Sequence, residues 1–491
     1  MQTIDAVLNR FTMYKVLLYG LMALWVIAEV LAVTGAISVS AGGLAVSAVV
    51  LGVTCYGVTA VLARLLRTPY NSESYLISAL ILLFVMPPAT SVGRTALLAL
   101  TAAVAMASKY VLVYRGSHIF NPVALGAFVL SVTGLLPATW WLATPWLTPF
   151  SILLALLVLR KQRKFTLFFS FAVAAVVMLL YVSSGLHHQA TGTVLHDALL
   201  SWPIIFFGSI MLSEPTTLPP APFYQILLAV LVAALFSSQL KWGPVSATPE
   251  AALLVGNLFG LFVAPPYGAT LRVKQLTQLS ADIYDLALDK PAGGVPYAPG
   301  QYMYWTLRHS RADIRGNRRT FSIASSPTEP ELHVGFRRYL HGSTYKQALL
   351  QLTAGDTLRA AKVGGSFTLP EDPTQALLWI AGGIGITPFR SMAKYLSDKG
   401  EERDIILVYQ ASSEQDFVYK DIFAQAAPIG LKTEYVVGRI KPTNLQRNDY
   451  SLAERLVYIS GPDSMVTSYK QALRSMGVPN SRIKTDYFSG Y

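Results

Sequence analysis

The stretch ALLWIAGGIGITPFRSMAKYL, residues 376–396, decides the fold of the C-terminal half of the chain. It opens with a short apolar run, continues through Gly382, Gly383 and Gly385, and ends in a helical pattern that starts at Thr387. A buried strand, a glycine-rich turn and a helix in this order are typical of a parallel α/β unit that binds a dinucleotide phosphate at the helix N-terminus. The turn therefore predicts a nucleotide-binding domain.

The sequence on either side of this unit defines the rest of the C-terminal half. After it, the apolar runs IILVYQ, TEYVVG and LVYISGP alternate with helical stretches, which predicts an α/β domain with a parallel sheet over residues 373–491. Before it, short alternating segments such as DIYDLALDK and ELHVGFRRY are separated by Gly and Pro turns. This pattern predicts an antiparallel β-barrel over residues 268–372.

The N-terminal half has a different composition. The whole chain is 53% hydrophobic and only 13% charged, and 12 of its 39 lysines and arginines precede residue 266. About ten apolar runs lie between residues 13 and 265, which predicts a polytopic α-helical membrane domain over residues 1–267. Several runs are short and interrupted by proline, so we expect broken helices among them.

Loop charge predicts the orientation of these spans. With ten spans both ends of the chain lie on one side of the bilayer, and most basic residues of this half, including the cluster at 160–164, fall on that side. Cytoplasmic loops carry the excess of Lys and Arg. We therefore expect an integral protein of the bacterial inner membrane with both termini and the C-terminal half in the cytoplasm, and no nucleic-acid partner for the net charge of +12.

A faint internal repeat lies within the membrane half. The segment 73–91 aligns with 200–218, and 121–135 aligns loosely with 248–262. Two five-helix halves with such matches would form an inverted repeat, with sites where the broken helices meet. The alternative, that any two apolar helices look alike, stays open.

Five spaced motifs occur in order in the C-terminal half: RRTFSIASSP (318–327), HGSTYKQALLQLTAGDTLRA (341–360), AGGIGITPF (381–389), YISGPDSM (458–465) and TDYFSGY (485–491). Together they resemble the ferredoxin-NADP reductase superfamily across residues 268–491. The resemblance implies bound FAD and a reaction with NADH or NADPH. It implies catalytic positions at Ser322, at Ser460, where the family usually has cysteine, and at Tyr491, which with Asp486 belongs to the terminal segment.

The cofactor-binding residues follow from the same motifs. An anionic pyrophosphate and a planar ring need a fixed cation, an aromatic face and a hydrogen bond, which Arg319, Phe321 and Ser322 can supply. The remaining positions assigned to FAD or to the dinucleotide are Thr320, Gly342, Ser343, Thr344, Gly382, Gly383, Gly385, Thr387, Gly461 and Pro462.

Two alternatives stay open for these motifs. Tight helix–sheet packing also selects glycine, and an ordinary final strand would explain the terminal segment equally well. The cofactor also remains undecided, because Ser412, Ser413, Tyr419 and Lys420 could hold a 2′-phosphate but no well-placed arginine accompanies them.

In the membrane half, HIFNPVALG (118–126) and MLSEPTTLPP (211–220) resemble the flavin-carrying subunits B and D of the sodium-translocating NADH:quinone reductase and the Rnf complex. The resemblance implies a ten-helix inverted repeat, a non-covalent flavin and an FMN attached covalently to an outer-side threonine. Thr191 is the candidate, although His187, His188 and Gln189 replace the usual preceding residues and an ordinary polar loop is the alternative.

Asn121 and Glu214 are the candidate cofactor-binding residues of the membrane half. Each lies beside a proline at a helix break, and polar groups are expensive to bury in lipid. The alternative is that Asn121 only caps the following helix. Paired haem ligands are missing from the sequence, and we expect no metal site.

These features predict a membrane-bound oxidoreductase that passes electrons from NAD(P)H through FAD into the membrane half. The acceptor would be a quinone or an outer-side carrier, with other subunits of an electron-transport complex as further partners. A sodium or proton pump driven by the reductase is the alternative, and a signalling receptor with an inactive reductase is a third class.

Overall fold

The computed structural model describes residues 11–66, 72–114, 117–243, 245–264, 268–307, 309, 317–339, 342–438, 450–452 and 454–488. The chain divides into two compact units, Met1–Pro266 and Tyr267–Tyr491. In the described residues, the first unit consists of helices and two short hairpins, and the second contains two larger β-sheets.

The first unit is built from helices that differ widely in length. Two small hairpins, β1 (Val113–Tyr114) with β2 (Ser117–His118) and β3 (Lys241–Trp242) with β4 (Val245–Ser246), connect some of them. The helices in chain order are α1 (Met13–Val33), α2 (Ala41–Leu65), α3 (Ser72–Val85), α4 (Val92–Val111), α5 (Pro122–Val132), α6 (Thr148–Gln162), α7 (Phe165–Leu186), α8 (Thr191–Leu200), α9 (Ile204–Met211), α10 (Pro222–Ser237) and α11 (Pro249–Val263).

Three of the described helices, α1, α2 and α7, are long and apolar enough to cross a membrane. The pair α8 and α9, bent by 53° at its break, would make a fourth. The structure therefore does not reproduce the expected number of about ten spans. Most of the other apolar runs form helices that proline or a polar turn ends early, so α3, α5, α10 and α11 have only 14, 11, 16 and 15 residues.

Several helix pairs in the first unit pack on one another. Helix α2 packs on α4, α7 on α10, α4 on α5 and α10 on α11. Helix α1 contacts α6, and α5 contacts α11. Both α5 and α11 begin with a polar N-cap, Asn121 or Thr248, followed by proline. The inverted repeat of two five-helix halves stays a prediction.

The first sheet of the second unit is antiparallel and has six strands in the order β8, β7, β10, β5, β6, β9. The short helix α12 (Thr344–Leu349) lies between β9 and β10 in the chain. The strands are β5 (Gly268–Gln278), β6 (Ile283–Asp289), β7 (Tyr302–Thr306), β8 (Arg318–Ser322), β9 (Glu331–Arg337) and β10 (Thr357–Gly364).

The structure does not show the expected closed barrel. In the described residues no ladder joins the edge strands β8 and β9. The chain leaves β8 after Ser322, and a backbone bond from Ala324 N to His333 O, 2.8 Å long, connects the two edges at that point. One such bond does not make a continuous ladder.

The second sheet is parallel and forms the predicted α/β domain, with strand order β13, β12, β11, β14, β15. The chain order reverses between β11 and β14, which is where open α/β sheets bind ligands. The elements are β11 (Leu377–Gly382), α13 (Thr387–Lys399), β12 (Ile405–Ala411), α14 (Lys420–Gln425), β13 (Leu431–Val437), β14 (Leu456–Pro462), α15 (Asp463–Ser475) and β15 (Ile483–Phe488).

A buried guanidinium joins the two sheets. Arg390 on α13 is 6% exposed, and its Nη2 donates to Oε1 of Glu329 at 2.8 Å while its Nη1 donates to Oε2 of the same carboxylate. Nη1 also donates to the carbonyl oxygen of Ala324 at 3.1 Å, and Ser391 Oγ donates to Ser325 O at 2.6 Å. Helix α13 is therefore fastened to the loop that follows β8.

Strand β11 provides a test of how far the second unit depends on its apolar core. Ile380 is fully buried between the neighbouring strands, whereas Val437 at the sheet edge is 53% exposed. We expect Ile380→Ala to destabilise the unit by about 2–5 kcal/mol through the cavity it leaves. Differential scanning calorimetry of the full chain should show a lower Tm for this variant and almost no change for Val437→Ala. Equal Tm values for the two variants would contradict this account of the core.

Candidate functional site

The glycine-rich turn follows β11 as a single 3₁₀ turn, Gly383–Ile386, before α13 begins at Thr387 with Pro388 in its first turn. Gly383 has φ +54°, a conformation that favours glycine. A Cβ atom on Gly385 would lie 2.5 Å from the carbonyl oxygen of Ser460, and one on Gly382 would meet Met465 and Pro462. Packing against β14 therefore explains Gly382 and Gly385, while Gly383 has an open side.

The open side of Gly383 faces a guanidinium that the sequence did not reveal. A Cβ atom on Gly383 would lie 3.7 Å from Nη1 of Arg337, at the end of β9. Two carboxylates hold this side chain, because its Nε donates to Asp282 Oδ2 at 2.8 Å and its Nη2 donates to Asp416 Oδ2 at 3.3 Å. A fixed arginine beside a glycine turn suits an anionic pyrophosphate. The only sequence signal was its place at the end of a predicted strand.

Strand β8 presents the residues assigned to FAD. The guanidinium carbon of Arg319 lies 5.1 Å from the ring centroid of Tyr345, and its Nη1 donates to Arg318 O at 2.8 Å. Thr320 is exposed. Phe321 is 9% exposed, and its ring centroid lies 6.2 Å from that of Tyr345. The aromatic face expected of Phe321 is thus largely covered by the core of the sheet.

Three polar side chains meet at the carboxyl end of the parallel sheet. Ser322 Oγ donates to Asp486 Oδ2 at 3.2 Å, although the two residues lie on different sheets. Ser460 is the register partner of Asp486 on the neighbouring strand β14. Its side chain is fully buried, and its hydroxyl has no hydrogen-bond partner in the described part of the chain. Tyr491, the third predicted catalytic residue, lies outside the described residues.

The Ser460 hydroxyl is the observation that tests whether a cofactor fits here. Buried hydroxyl groups almost always have a partner, so one without a protein partner is a place where a bound group can accept or donate. Gly461 and Pro462 complete β14 beside the glycine-rich turn. Together with the fixed Arg337, these residues suit a dinucleotide bound at the glycine-rich turn, while the Ser460 side chain itself is fully buried.

The start of α12 is less open than the sequence indicated. Ser343 Oγ accepts from Lys346 N at 3.3 Å and so caps its own helix. His309 Nε2 lies 3.0 Å from Thr344 Oγ1, and Gly342 N donates to Tyr339 O at 2.8 Å. These residues therefore shape the turn through contacts within the unit.

The loop after β12 bears on the choice between NADH and NADPH. Ser412 and Ser413 are exposed. The Tyr419 hydroxyl, however, donates to Asp285 Oδ1 at 2.7 Å, and the ammonium of Lys420 lies 5.4 Å from the ring centroid of Phe417. Tyr419 thus serves a contact between the sheets, so it is not available for the 2′-phosphate role considered for it.

Asp285 is itself part of a buried polar chain. Burial alone would raise the pKa of its carboxyl group, but hydrogen bonds from His333 and Tyr419 and the charge of Arg390 hold that pKa below its ordinary value. Burial and the same carboxylate raise the pKa of Tyr419 well above its ordinary value. At neutral pH the pair is therefore a carboxylate that accepts from a neutral tyrosine.

In the first unit, Asn121 and Glu214 come together. Asn121 Nδ2 donates to Glu214 Oε2 at 2.9 Å, while Asn121 Oδ1 accepts from Ala124 N at 3.0 Å and caps α5. Sequence reasoning missed their other partners: His118 Nε2 lies 3.1 Å from Glu214 Oε1, and Asn257 Oδ1 accepts from Asn121 N at 2.8 Å. Asn121 is therefore both a helix cap and a member of a polar cluster.

Two further predictions concern Thr191 and metal binding. Thr191 is exposed and is the first residue of α8. Within the described residues, no group of three or more His, Cys, Asp or Glu side chains is arranged to hold a metal ion.

Residues 379–471 match the family model of the oxidoreductase NAD-binding domain. The reductase subunit of a stachydrine N-demethylase from Rhizobium meliloti is 25% identical over 232 residues, which cover 43% of this chain and 64% of that protein. An NADH oxidoreductase from Escherichia coli is 26% identical, covering 42% and 65%. A reductase component of a terephthalate 1,2-dioxygenase from Comamonas is also 26% identical, covering 45% and 68%.

Solved structures also align with part of the chain. A cytochrome P450 reductase from Amycolatopsis covers 46% of this chain and 71% of its own, with a TM-score of 0.42 and 22% identity. A ferredoxin NADP⁺ reductase from Neisseria gonorrhoeae with bound FAD and NADP covers 46% and 99%, with a TM-score of 0.40 and 17% identity.

The match at residues 379–471 shows a NAD-binding domain of oxidoreductases, and the relatives are reductases, in agreement with the predicted enzyme class, an FAD-dependent NAD(P)H oxidoreductase. The chain spans about two thirds of the length of these relatives, 64% of the first. The resemblance of the first unit to membrane subunits B and D is not confirmed by these matches.

The close approach of Gly385 to β14 makes a test of the turn. In Gly385→Ala the new methyl group would meet the Ser460 carbonyl at 2.5 Å, so the turn or the strand must shift. Overpacking costs about 1–3 kcal/mol of stability. If the shift distorts the pyrophosphate site by a similar energy, binding should weaken roughly 5- to 150-fold. Calorimetric titration with NAD⁺ and NADP⁺ measures this.

Gly293→Ala is the matched control, because a Cβ atom there meets nothing within 4 Å. Unchanged dinucleotide affinity in Gly385→Ala would show that the turn does not hold the pyrophosphate.

Proposed function

We propose that this chain is a membrane-bound reductase whose second unit oxidises NADH or NADPH with FAD and whose first unit receives the electrons. The observation that carries the reductase part is a hydrogen bond of 3.2 Å between Ser322 of β8 and Asp486 of β15 in the parallel sheet. Beside it lies the hydroxyl of Ser460, which has no hydrogen-bond partner in the described residues. The hydrogen bond joins the two halves of a cofactor site from separate sheets.

The residues of β8 and its neighbours would hold FAD. Arg319 supplies a cation for the pyrophosphate and is kept in place by the ring of Tyr345. Ser322 would supply a hydroxyl to the ring system of the flavin, and Asp486 orients that hydroxyl as its acceptor. When bound, FAD accepts a hydride from a nicotinamide and can release the electrons one at a time.

The glycine-rich turn and its arginine would hold the dinucleotide. Gly383 leaves room for a pyrophosphate, and Arg337 lies beside that room with two of its nitrogens fixed by carboxylates. Ser460 offers the polar contact that orients the nicotinamide ring. A serine can replace a thiol in this role, because the nicotinamide supplies the hydride and the protein chiefly orients the rings.

In this proposal the first unit lies in the inner membrane, with both termini and the second unit in the cytoplasm. The three long apolar helices among the described residues suit a bilayer. His118, Asn121 and Glu214 lie at breaks between helices and form a polar cluster with Asn257 of α11, where a polar carrier could be held away from lipid. The acceptor in this proposal is a quinone, or an outer-side carrier reached through an FMN on Thr191.

A second candidate acceptor is a separate electron-carrying protein. Relatives named as the reductase subunit of a demethylase and as the reductase component of a dioxygenase favour it. Reconstitution of the full chain into liposomes, with a quinone in the lipid or a dye trapped inside, distinguishes the two. Reduction of the quinone or of the trapped dye supports the membrane route, and reduction of outside acceptors alone contradicts it.

The decisive experiment identifies the flavins. We expect acid denaturation of the purified chain to release FAD, and NADH or NADPH to bleach the flavin absorbance of the native chain. If Thr191 carries FMN, a second flavin should stay attached after denaturation and be absent from Thr191→Ala. Release of FAD alone would refute the Thr191 assignment, and absence of FAD would refute the reductase proposal.

Two neighbouring arginines on β8 provide a matched pair for the FAD site. We expect Arg319→Ala to lose most of its bound FAD, because the pyrophosphate would lose its cation. Arg318→Ala should keep the cofactor, because Arg318 is exposed and lies over the ring of Tyr304 at 5.8 Å. The ratio of flavin to protein absorbance measures both. Equal FAD content in the two variants would remove Arg319 from the site.

A further inference from the structure

A hydrogen bond between the two sheets of the second unit lies next to the glycine-rich turn. Asp285 on β6 is buried, and its Oδ1 accepts from the Tyr419 hydroxyl at 2.7 Å. Its other oxygen, Oδ2, lies 2.5 Å from His333 Nδ1 on β9. The carboxylate thus has one partner in its own sheet and one in the nucleotide-binding domain.

The backbone of Tyr419 shows that this position is held by its surroundings. Tyr419 has φ +60°, in the left-handed region that a bulky side chain rarely adopts. Such a conformation persists where neighbouring contacts determine it, and it is found at sites where position matters. The contact with Asp285 is the hydrogen bond of the Tyr419 side chain that crosses to the other sheet.

Gly335 on β9 sets how closely the two layers approach. A Cβ atom on Gly335 would lie 2.6 Å from Thr387 Cγ2, 2.8 Å from the Tyr419 hydroxyl and 3.3 Å from Ile384 Cδ1. Two of these three atoms belong to the glycine-rich turn or to the first residue of α13. The turn therefore rests directly on the first sheet, with Tyr419 beside it.

Hydrogen bonds connect this contact to the loop after β8, the strand that would hold the flavin. His333 N donates to Ser325 Oγ at 3.0 Å, and Ser325 O accepts from Ser391 Oγ at 2.6 Å. Ser325 lies three residues beyond Ser322 in the chain. A shift of Tyr419 against Asp285 would therefore change the distance between the dinucleotide turn and the loop after β8.

We infer that Asp285 and Tyr419 are positioning residues, which with Gly335 fix the separation between the nicotinamide and the flavin without touching either cofactor. This inference rests on the proposed function. Hydride transfer is steeply sensitive to the distance and angle between the two rings, and a misplacement of about 1 Å can cost on the order of 100-fold in rate. The grip on the pyrophosphate is set by the turn and by Arg337, whose partners Asp282 and Asp416 are not altered by these changes, so the Kd of the dinucleotide should not change.

Tyr419→Phe tests the inference, because it removes the hydroxyl and keeps the ring. Stopped-flow reduction of the bound FAD should be roughly tenfold or more slower at saturating NADH or NADPH, with an unchanged Kd for the dinucleotide. Asp285→Ala combined with Tyr419→Phe should be about as slow as Asp285→Ala alone, since Asp285→Ala already removes the acceptor of the Tyr419 hydroxyl. Hydrogen exchange in residues 323–329 and 383–399 should rise in Tyr419→Phe, and this measurement does not depend on turnover.

Tyr450→Phe is the matched control. The Tyr450 hydroxyl donates to Glu434 Oε2 at 2.5 Å, which is also a tyrosine–carboxylate bond but lies within the nucleotide-binding domain. Tyr450→Phe should leave the rate of flavin reduction unchanged. It therefore distinguishes a general loss of stability from a change in the separation of the two sheets.

The outcomes separate the inference from the proposed function. If neither NADH nor NADPH reduces the FAD of the wild-type chain, the proposed function is overturned and the inference with it. If the wild type is reduced and Tyr419→Phe is equally fast, or is altered only in dinucleotide Kd, the inference alone is overturned.

Discussion

The ion pair between Arg390 and Glu329 is the interaction on which the second unit depends. A guanidinium with 6% exposure has lost most of its hydration, and such a charge is stable only when carboxylate and carbonyl oxygens replace the water. Arg390 belongs to the helix that directly follows the glycine-rich turn, and Glu329 belongs to the loop that follows Ser322. One desolvated pair therefore joins the two halves of the proposed cofactor site, and the Asp285–Tyr419 hydrogen bond is a second contact between the same two sheets.

Features of the sequence that act locally were sufficient to predict much of this site. Three glycines between a buried strand and a helix predicted the turn, because a turn is specified by its own residues. The partners of that turn were not visible: Arg337 comes from another sheet, and its two carboxylates lie 55 and 79 residues away. Tyr419 was considered as a residue that holds the 2′-phosphate, and the sequence could not exclude this because the acceptor of its hydroxyl, Asp285, is 134 residues distant.

The first unit shows the same division. Asn121 and Glu214 were recognisable because each lies beside a proline, whereas Asn257 sits within a helix and has no local signal. The sequence predicted more spans than the structure has long apolar helices. The prediction counted apolar runs, which reflect composition, whereas the length of a helix also depends on where proline and polar caps end its backbone hydrogen bonds. The cluster itself is assembled across 93 and 136 residues, which explains how broken helices can bury amides and a carboxylate without leaving them unsatisfied.

Ser460 has a chemical consequence beyond orientation. The single cysteine of the chain, Cys55, is buried among the helices of the first unit, so the second unit contains no sulfhydryl at all. Thiolates are the groups that peroxide oxidises and that alkylating reagents attack, and reduced flavins generate peroxide when oxygen reaches them. A serine hydroxyl undergoes neither of these two reactions. The second unit therefore offers no cysteine to thiol-directed reagents, and no sulfenic acid can form at position 460.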